Sequence, residues 1–407
     1  MRIVSLSPVV PYEGIPHAGG QYLLRHLRAL RDRGHDVTVV SFDDPENRTA
    51  ADALAGVADV VLVSVGESGR GPLRRLRATT ERQEQRLFPV RPVSRRRRAL
   101  RRSAAARAAV AAADAVEYQW TESGWFGVHR RRASARHVVI AHDVVLQNYA
   151  RFLAAAGTGW HPRVLLARWR YASVRRDERR IYRRADVVVS FSAKDAALVR
   201  RVAVAPVRAV VVRPPLADGV SPRPRSGDPA ATVLFVGAFD RSVNADAAVW
   251  TMTDIAPRVL AACPRARFVF AGAHPTDAMR RLAAEAPDAF VVTGRVDSLD
   301  PVYEAADVVL VPLRAGAGVK FKTVEAMLRG IPVVSTAIGV EGIVGGRIRA
   351  FAVEDDAEDL ATALVGVLDD PAAARDQAAR TRDAAADEFS REAFLRALAD
   401  VYERPLP

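Results

Sequence analysis

Short runs of Val, Ile, Leu and Phe recur along this chain with room for one helix between successive runs, and that alternation restricts the possible folds most. The first run, residues 3–10, is followed by a Gly/Pro loop through residue 20, a helical pattern over 21–33, Gly34 and a second apolar run over 36–42. That is a βαβ unit. Further strands are expected over 57–65, 115–120, 137–141, 187–191 and 209–213, with helical patterns between them. Near-continuous apolar strands read as a parallel, doubly wound sheet covered by helices on both faces. The stretch 214–230 is rich in Pro, Gly and Ser without apolar period and is expected to be a linker. A fresh series then begins: strands over 232–237, 267–271, 290–293, 308–312 and 332–336, alternating with helices over 245–263, 276–286, 299–306 and 323–329. Helices over 357–368 and 371–402 close the chain. The expectation is α/β, two Rossmann-like domains at 1–213 and 231–388, with a helix at about 389–403 as a candidate to pack back on the first. The 407 residues suffice for two cores of about 150–200 residues each.

Charge is split unevenly between the halves. Residues 1–213 carry 39 Lys plus Arg against 19 Asp plus Glu, whereas 214–407 carry 21 against 28. A strongly basic surface attracts an anionic partner, either a membrane leaflet or a phosphorylated acceptor. Nucleic acid is the competing partner and is not expected; the alanine-rich setting of the arginines also fits a bias of composition. The densest group lies within 70–107, where Arg74, Arg75, Arg77, Arg95, Arg96, Arg97, Arg98, Arg101 and Arg102 are interspersed with Leu73, Leu76, Leu87, Phe88 and Leu100. This is either a basic amphipathic surface for anionic lipid or a solvated helical insertion. The single cysteine, Cys263, excludes an intrachain disulfide framework and a cysteine-built metal site. The opening MRIVSLSPVV lacks the form of a signal peptide, and no apolar run approaches the ~20 residues of a membrane span. A cytoplasmic protein, soluble or peripheral at the inner face of the plasma membrane, is expected.

One segment points to chemistry. In PLRAGAGVKFKTVEA, residues 312–326, a strand ends, a glycine-rich loop follows and a helix begins. Gly316 and Gly318 allow close backbone approach to an anion, amides at the helix start carry the positive end of its dipole, and Lys320 and Lys322 add two cations. A diphosphate is the natural ligand. Glu325, expected in the first helical turn, offers a carboxylate to two vicinal hydroxyls such as those of a ribose.

The longer stretch 312–342, PLRAGAGVKFKTVEAMLRGIPVVSTAIGVEG, resembles the donor-site segment of the retaining glycosyltransferase family 4 group, which has the GT-B fold. Supporting resemblance comes from HAGGQYLLRHLRALRDRGHDVTVVSF at 17–42, HVVIAHD at 137–143, RRADVVVSFSAKDAALV at 183–199, VLFVGAFDRSVNADAAVW at 233–250 and VTGRVDSLDPVYEAADVVLVPL at 292–313. The resemblance implies two Rossmann-like domains facing each other across a cleft and transfer of a sugar, with retention, from a nucleotide-diphosphate sugar to an acceptor hydroxyl. The acceptor would be a carbohydrate or lipid-linked molecule in polysaccharide, glycolipid or other glycoconjugate biosynthesis. Glu325 matches the ribose-binding glutamate, Gly318 and Val319 the loop amides, and Arg295 with Val296 the turn beside the base. Gly19 and Gly20 match the N-terminal loop that approaches the diphosphate, and His142 the histidine that contacts the transferred sugar.

The departures are specific. The first carboxylate of the family's E-x7-E pattern falls at Ala317, and its usual Arg and Lys after the first strand of the second domain fall at Ala238 and Val243. Lys320 and Lys322, with Arg241 as a second candidate, are expected to take over the phosphate, as in a subgroup with a basic loop, and no cofactor or metal is expected. Leaving-phosphate support would carry much of the catalysis, which makes Lys320 and Lys322 catalytic candidates, and the sugar contact that the resemblance implies for His142 makes it the third. For the acceptor, the candidates are His17, Tyr118, Trp120 and Glu122, with packing as the competing role for the aromatic residues. A sugar-nucleotide 2-epimerase of the same fold and a non-catalytic binding protein are the alternatives.

Overall fold

The computed structural model describes residues 1–66, 72–127, 135–222 and 231–405. Residues 223–230 of the expected linker lie outside them, as do the side chains of residues 72–77, including Leu73, Arg74, Arg75, Leu76 and Arg77 of the arginine-rich insertion. The chain forms two compact units, one comprising Met1–Pro214 with Phe394–Pro407 and the other Pro215–Ala393.

Among the described residues the sheet of the first unit has seven strands: β1 (Arg2–Leu6), β2 (Asp36–Phe42), β3 (Asp59–Val63), β4 (Ala115–Gln119), β5 (Arg136–Ala141), β6 (Val187–Ser190) and β7 (Ala209–Val211). All pairings are parallel, in the order β3-β2-β1-β4-β5-β6-β7. The order reverses between β1 and β4, so the loops after these two strands leave the sheet on either side of a crevice. Strand β1 is shorter than the apolar run 3–10 because Pro8 has no amide to give the ladder. Val10 instead donates to Asn47 Oδ1 at 2.8 Å, which ties the loop to the helix Pro45–Ala53. Every residue of β4 is buried, including the carboxylate of Glu117 and the amide of Gln119.

The insertion after β3 is helical, at Pro72–Leu87, Ser94–Arg102 and Ala104–Ala112. Part of its charge is neutralised locally: Arg95 pairs with Glu81 at 3.0 Å and Arg97 with Glu84 at 2.7 Å. Arg96 lies over the Phe42 ring, whereas Arg98, Arg101 and Arg102 are exposed. The closing helical run expected over 371–402 is two helices, Pro371–Glu388 and Arg391–Tyr402. The break falls where Ser390 Oγ accepts from Ala393 N at 3.0 Å, a side-chain cap that starts a new helix. The second of these helices returns to the first unit, where the Tyr402 hydroxyl donates to buried Glu117.

The second unit has six parallel strands among the described residues: β8 (Ala231–Val236), β9 (Ala266–Ala271), β10 (Phe290–Gly294), β11 (Val308–Val311), β12 (Val333–Ser335) and β13 (Ala352–Val353), in the order β10-β9-β8-β11-β12-β13. Its switch point lies between β8 and β11. The single helix expected over 245–263 is interrupted: Ser242–Trp250 passes through a π-helical stretch, Thr251–Ile255, into Ala256–Ala262. Pro257 lacks the amide that a continuous α-helix requires, and the wider turn absorbs the defect.

Candidate functional site

In the second unit the loop after β11 is held from below. Ser335 Oγ donates to Val311 O at 3.0 Å, Thr336 Oγ1 to Leu313 O at 2.6 Å, and Thr323 Oγ1 to Gly339 O at 2.8 Å. A Cβ on Gly339 would stand 2.5 Å from Val311 O, so only glycine fits there. These contacts account physically for Ser335, Thr336 and Gly339 in the stretch that runs on from the end of β12. Above them, Gly316 and Gly318 adopt φ of +124° and +72°, which other residues rarely tolerate.

The following helix, Phe321–Leu328, starts two residues earlier than expected, so Lys322 stands in its first turn and Glu325 in its second. A cation there opposes the helix dipole. The two lysines have different surroundings. Lys320 is buried, donates to Gly318 O at 2.7 Å and lies 3.8 Å from Glu341 Oε2, so it braces the glycine loop. Lys322 reaches across the switch point to the loop after β8. It donates to Asn244 Oδ1 at 3.0 Å, lies 4.7 Å from the Phe235 ring centroid, and sits 3.2 Å from where a Cβ on Gly237 would be. Burial, reinforced by Arg241 and Lys320 and opposed by Glu325, pushes the Lys322 ammonium pKa down to about 7.

Arg241 is exposed just before the helix Ser242–Trp250. Asn244, which sequence reasoning missed, fixes this corner by donating to Ala238 O at 2.8 Å while it accepts from Lys322. Its only signal was an Asn close to the start of a predicted helix, where polar side chains fold back on the backbone. Gly272 was also missed; a Cβ there would lie 1.9 Å from Gly237 O, so the turns after β8 and β9 touch backbone to backbone. Glu325 is half-buried and accepts from Tyr303 Oη at 3.3 Å. Arg295, exposed, and Val296, partly buried, follow β10. Val319, partly buried, lies between the second loop glycine and Lys320.

In the first unit the loops after β1 and β4 also meet. His17 caps the helix Ala18–Asp32, its Nδ1 accepting from Gly20 N at 2.9 Å. A Cβ on Gly19 would fall 2.6 Å from the Trp120 ring and 3.2 Å from His142 Nδ1; one on Gly20 would fall 2.5 Å from Ile15. Both glycines therefore let the helix start approach its neighbours. Trp120 is held at φ +61°, a strained backbone for a bulky residue, and its ring stacks on His142 at 4.1 Å and 9°.

A buried polar chain stands behind His142. Gln119 Nε2 donates to Glu117 Oε2 at 3.1 Å, which fixes the amide and aims its oxygen at His142 Nε2, 3.3 Å away. Assigned from this network, His142 carries its proton on Nε2 and keeps the Nδ1 lone pair facing Gly19. Burial, with His26 and His17 adding, lowers the His142 pKa to about 3, so the ring is neutral. Glu117 itself accepts from His26 at 3.0 Å and from Tyr402. The Glu122 carboxyl is raised to about 7 by burial and by Asp143.

The acceptor candidates do not converge on one pocket. His17, Trp120 and Glu122 line a cavity of about 640 Å³ together with Arg91, Arg96 and Tyr149. Tyr118 is buried and turned elsewhere, its hydroxyl 2.9 Å from His137 Nδ1 and its ring stacked on that histidine.

Known proteins agree with this architecture. Residues 18–215 match the family model described as "Glycosyl transferase 4-like domain", and residues 230–370 match "Glycosyl transferases group 1". The two units thus carry the paired domains of a GT-B-type glycosyltransferase. The chain is 29% identical over 160 residues to a phosphatidyl-myo-inositol mannosyltransferase of Mycolicibacterium smegmatis, covering 38% of this chain and 39% of that relative's length. Among solved structures, sucrose-phosphate synthase of Thermosynechococcus elongatus superposes with a TM-score of 0.70 at 20% identity, over 99% of this chain and 98% of that one. Anabaena HepE in complex with UDP superposes with a TM-score of 0.63 at 15% identity, over 99% and 100%. Among the described residues, no helix is long and apolar enough to cross a membrane.

Proposed function

We propose that this chain is a retaining glycosyltransferase of the family 4 type, moving a sugar from a nucleotide-diphosphate sugar to an acceptor hydroxyl of a glycoconjugate. The observation that carries the reading is Lys322, whose half-buried ammonium lies at the switch point of the second unit against Asn244 and Gly237. It reaches the corner from which the family's usual cations are missing, because those positions here are Ala238 and Val243. A cation with a depressed pKa in a helix's first turn is an unfavourable arrangement that an anionic ligand relieves. The presence of UDP in the HepE complex supports a nucleoside diphosphate as that ligand.

Lys322 and Arg241 take the diphosphate, Lys320 holds the loop that offers amides from Gly318 and Val319, and Glu325 takes the ribose hydroxyls. Arg295 and Val296 flank the base. The C1–phosphate oxygen bond breaks and the acceptor oxygen bonds to C1 on the same face, while the acceptor proton passes to the departing phosphate. Stabilising that phosphate is the main catalytic task. His142, neutral, offers Nδ1 to a sugar hydroxyl, and the cavity at Trp120 and Glu122 takes the acceptor. The exposed Arg98, Arg101 and Arg102 support a peripheral place at an anionic membrane.

A panel of UDP-, GDP- and ADP-sugars tests the reading. Slow hydrolysis of one donor, abolished by Lys322→Ala, is expected. Isomerisation of the sugar indicates the 2-epimerase instead, and binding without turnover indicates a non-catalytic protein.

A further inference from the structure

A second cavity, of about 320 Å³, lies inside the first unit between the sheet and the arginine-rich helices. Its floor is Leu6 of β1 with Val116 and Tyr118 of β4, and Leu100, Ala106 and Val110 of the helices Ser94–Arg102 and Ala104–Ala112 also line it. Close-packed cores leave few voids larger than a water, whereas about 300 Å³ is where ligand sites begin. At ~30 Å³ for each water-sized group, the space holds about ten, a single chain end. The lining is apolar: the Tyr118 hydroxyl is already engaged by His137 at 2.9 Å and presents only its ring.

Charge is confined to arginines. Arg97, Arg101 and Arg107 line the cavity; Arg97 is paired with Glu84 at 2.7 Å, while Arg101 and Arg107 are exposed. An apolar interior with cations at its solvent side is complementary to an amphiphile with an anionic head. Phe126 lines both this cavity and the larger one that contains Trp120 and Glu122. Arg96 and Arg97, adjacent in sequence, line one each.

Resting on the glycosyl-transfer reading above, we propose that the acceptor is lipid-linked: one aliphatic chain enters the apolar cavity, Arg101 and Arg107 hold its phosphate, and the head extends past Phe126 toward Trp120 and Glu122. The occupant is therefore an alkyl- or prenyl-type phosphate presented one molecule at a time.

The test uses the full chain and n-alkyl phosphates of increasing length below their micellar concentrations, followed by calorimetry. Affinity is expected to rise about fourfold per methylene and to level off once the chain outgrows the cavity. A neutral alkyl maltoside of equal length is expected to bind at least tenfold more weakly. Val110→Trp, which fills the cavity, removes the chain-length dependence; the surface pair Arg101→Glu with Arg107→Glu lowers phosphate affinity at least tenfold at an unchanged Tm. Binding without chain-length dependence, or unaffected by Val110→Trp, overturns the proposal. Adsorption to anionic vesicles that is equal in wild type and Val110→Trp, with no alkyl phosphate bound, also overturns it in favour of a bilayer surface. Nucleotide-sugar binding is measured on the same samples. A donor that binds while alkyl phosphates do not defeats this inference alone, and a chain-length series without any donor binding defeats the transfer reading and with it the role of acceptor, leaving only the alkyl-phosphate site.

Discussion

The two units place their candidate residues at the same topological position and equip it oppositely. In the second unit, the helix starts after β8 and β11 bring together Lys322, Arg241 and Asn244. In the first, the helix start after β1 and the turns after β4 and β5 bring together Gly19, Trp120 and a neutral His142. One crevice presents cationic side chains, the other an aromatic face and a neutral imidazole. The shared sheet order fixes where ligands approach; the loop residues fix what kind of ligand each crevice accepts.

The largest effect that separates the two crevices is expected from Lys322→Ala. It should lower kcat/KM for the donor by about 10²–10³, the range for removing one preorganised donor to a developing anion, without loss of thermal stability. Lys320→Ala should instead lower the unfolding free energy by about 1–3 kcal/mol, since its ammonium braces Gly318 O. Equal kinetic and stability losses in both variants would erase the distinction between a ligand-facing and a loop-bracing lysine.

Next is the pH dependence of donor affinity. With its pKa near 7 in the free protein, Lys322 is mostly cationic at pH 6 and about nine-tenths neutral at pH 8. Binding of a diphosphate favours the cation, so affinity should fall about tenfold from pH 6 to pH 8, with proton uptake visible in buffers of different ionisation heat. The His142 ring contributes no break above pH 5, because its pKa is already depressed to about 3. A profile that rises with pH would contradict the assignment.

A smaller effect is expected on the first unit's side from Gln119→Met, which removes the acceptor facing His142 Nε2. We expect a fall of about three- to tenfold in kcat and a mixed tautomer in 15N NMR of the ring; an unchanged tautomer would show that Gln119 does not position it. The smallest effect is expected from EDTA. On the proposed reading, cations of the chain supply the phosphate's counter-charge, so chelation should leave donor turnover within about 20% of its starting rate, and restoration of lost activity by Mg²⁺ would count against that division of labour.

Much of this is legible in the amino-acid sequence. The strand runs at 36–42, 137–141 and 308–312 are nearly the observed strands because buried parallel strands have to be apolar on both faces. The glycine loop at 316–318 was legible because positive φ leaves few residue types. Other features were not. Helix starts and breaks shifted where a single group decided them, as at Ser390 and Pro257. Tyr118 and Trp120, two residues apart and expected together, line different cavities because Trp120 takes a positive φ at the strand end.

By itself, the sequence determined the two βα series, the glycine loop with its lysines and the carboxylate of Glu325, since periodicity and backbone restriction act locally. Only the tertiary structure decided which lysine crosses to the corner after β8, that Asn244 in the first turn of the next helix waits there, and that Gln119 and Glu117 orient His142. Those contacts join residues 78, 23 and 2 positions apart, and two of the three depend on which strands lie side by side, a property of sheet order that no local pattern encodes.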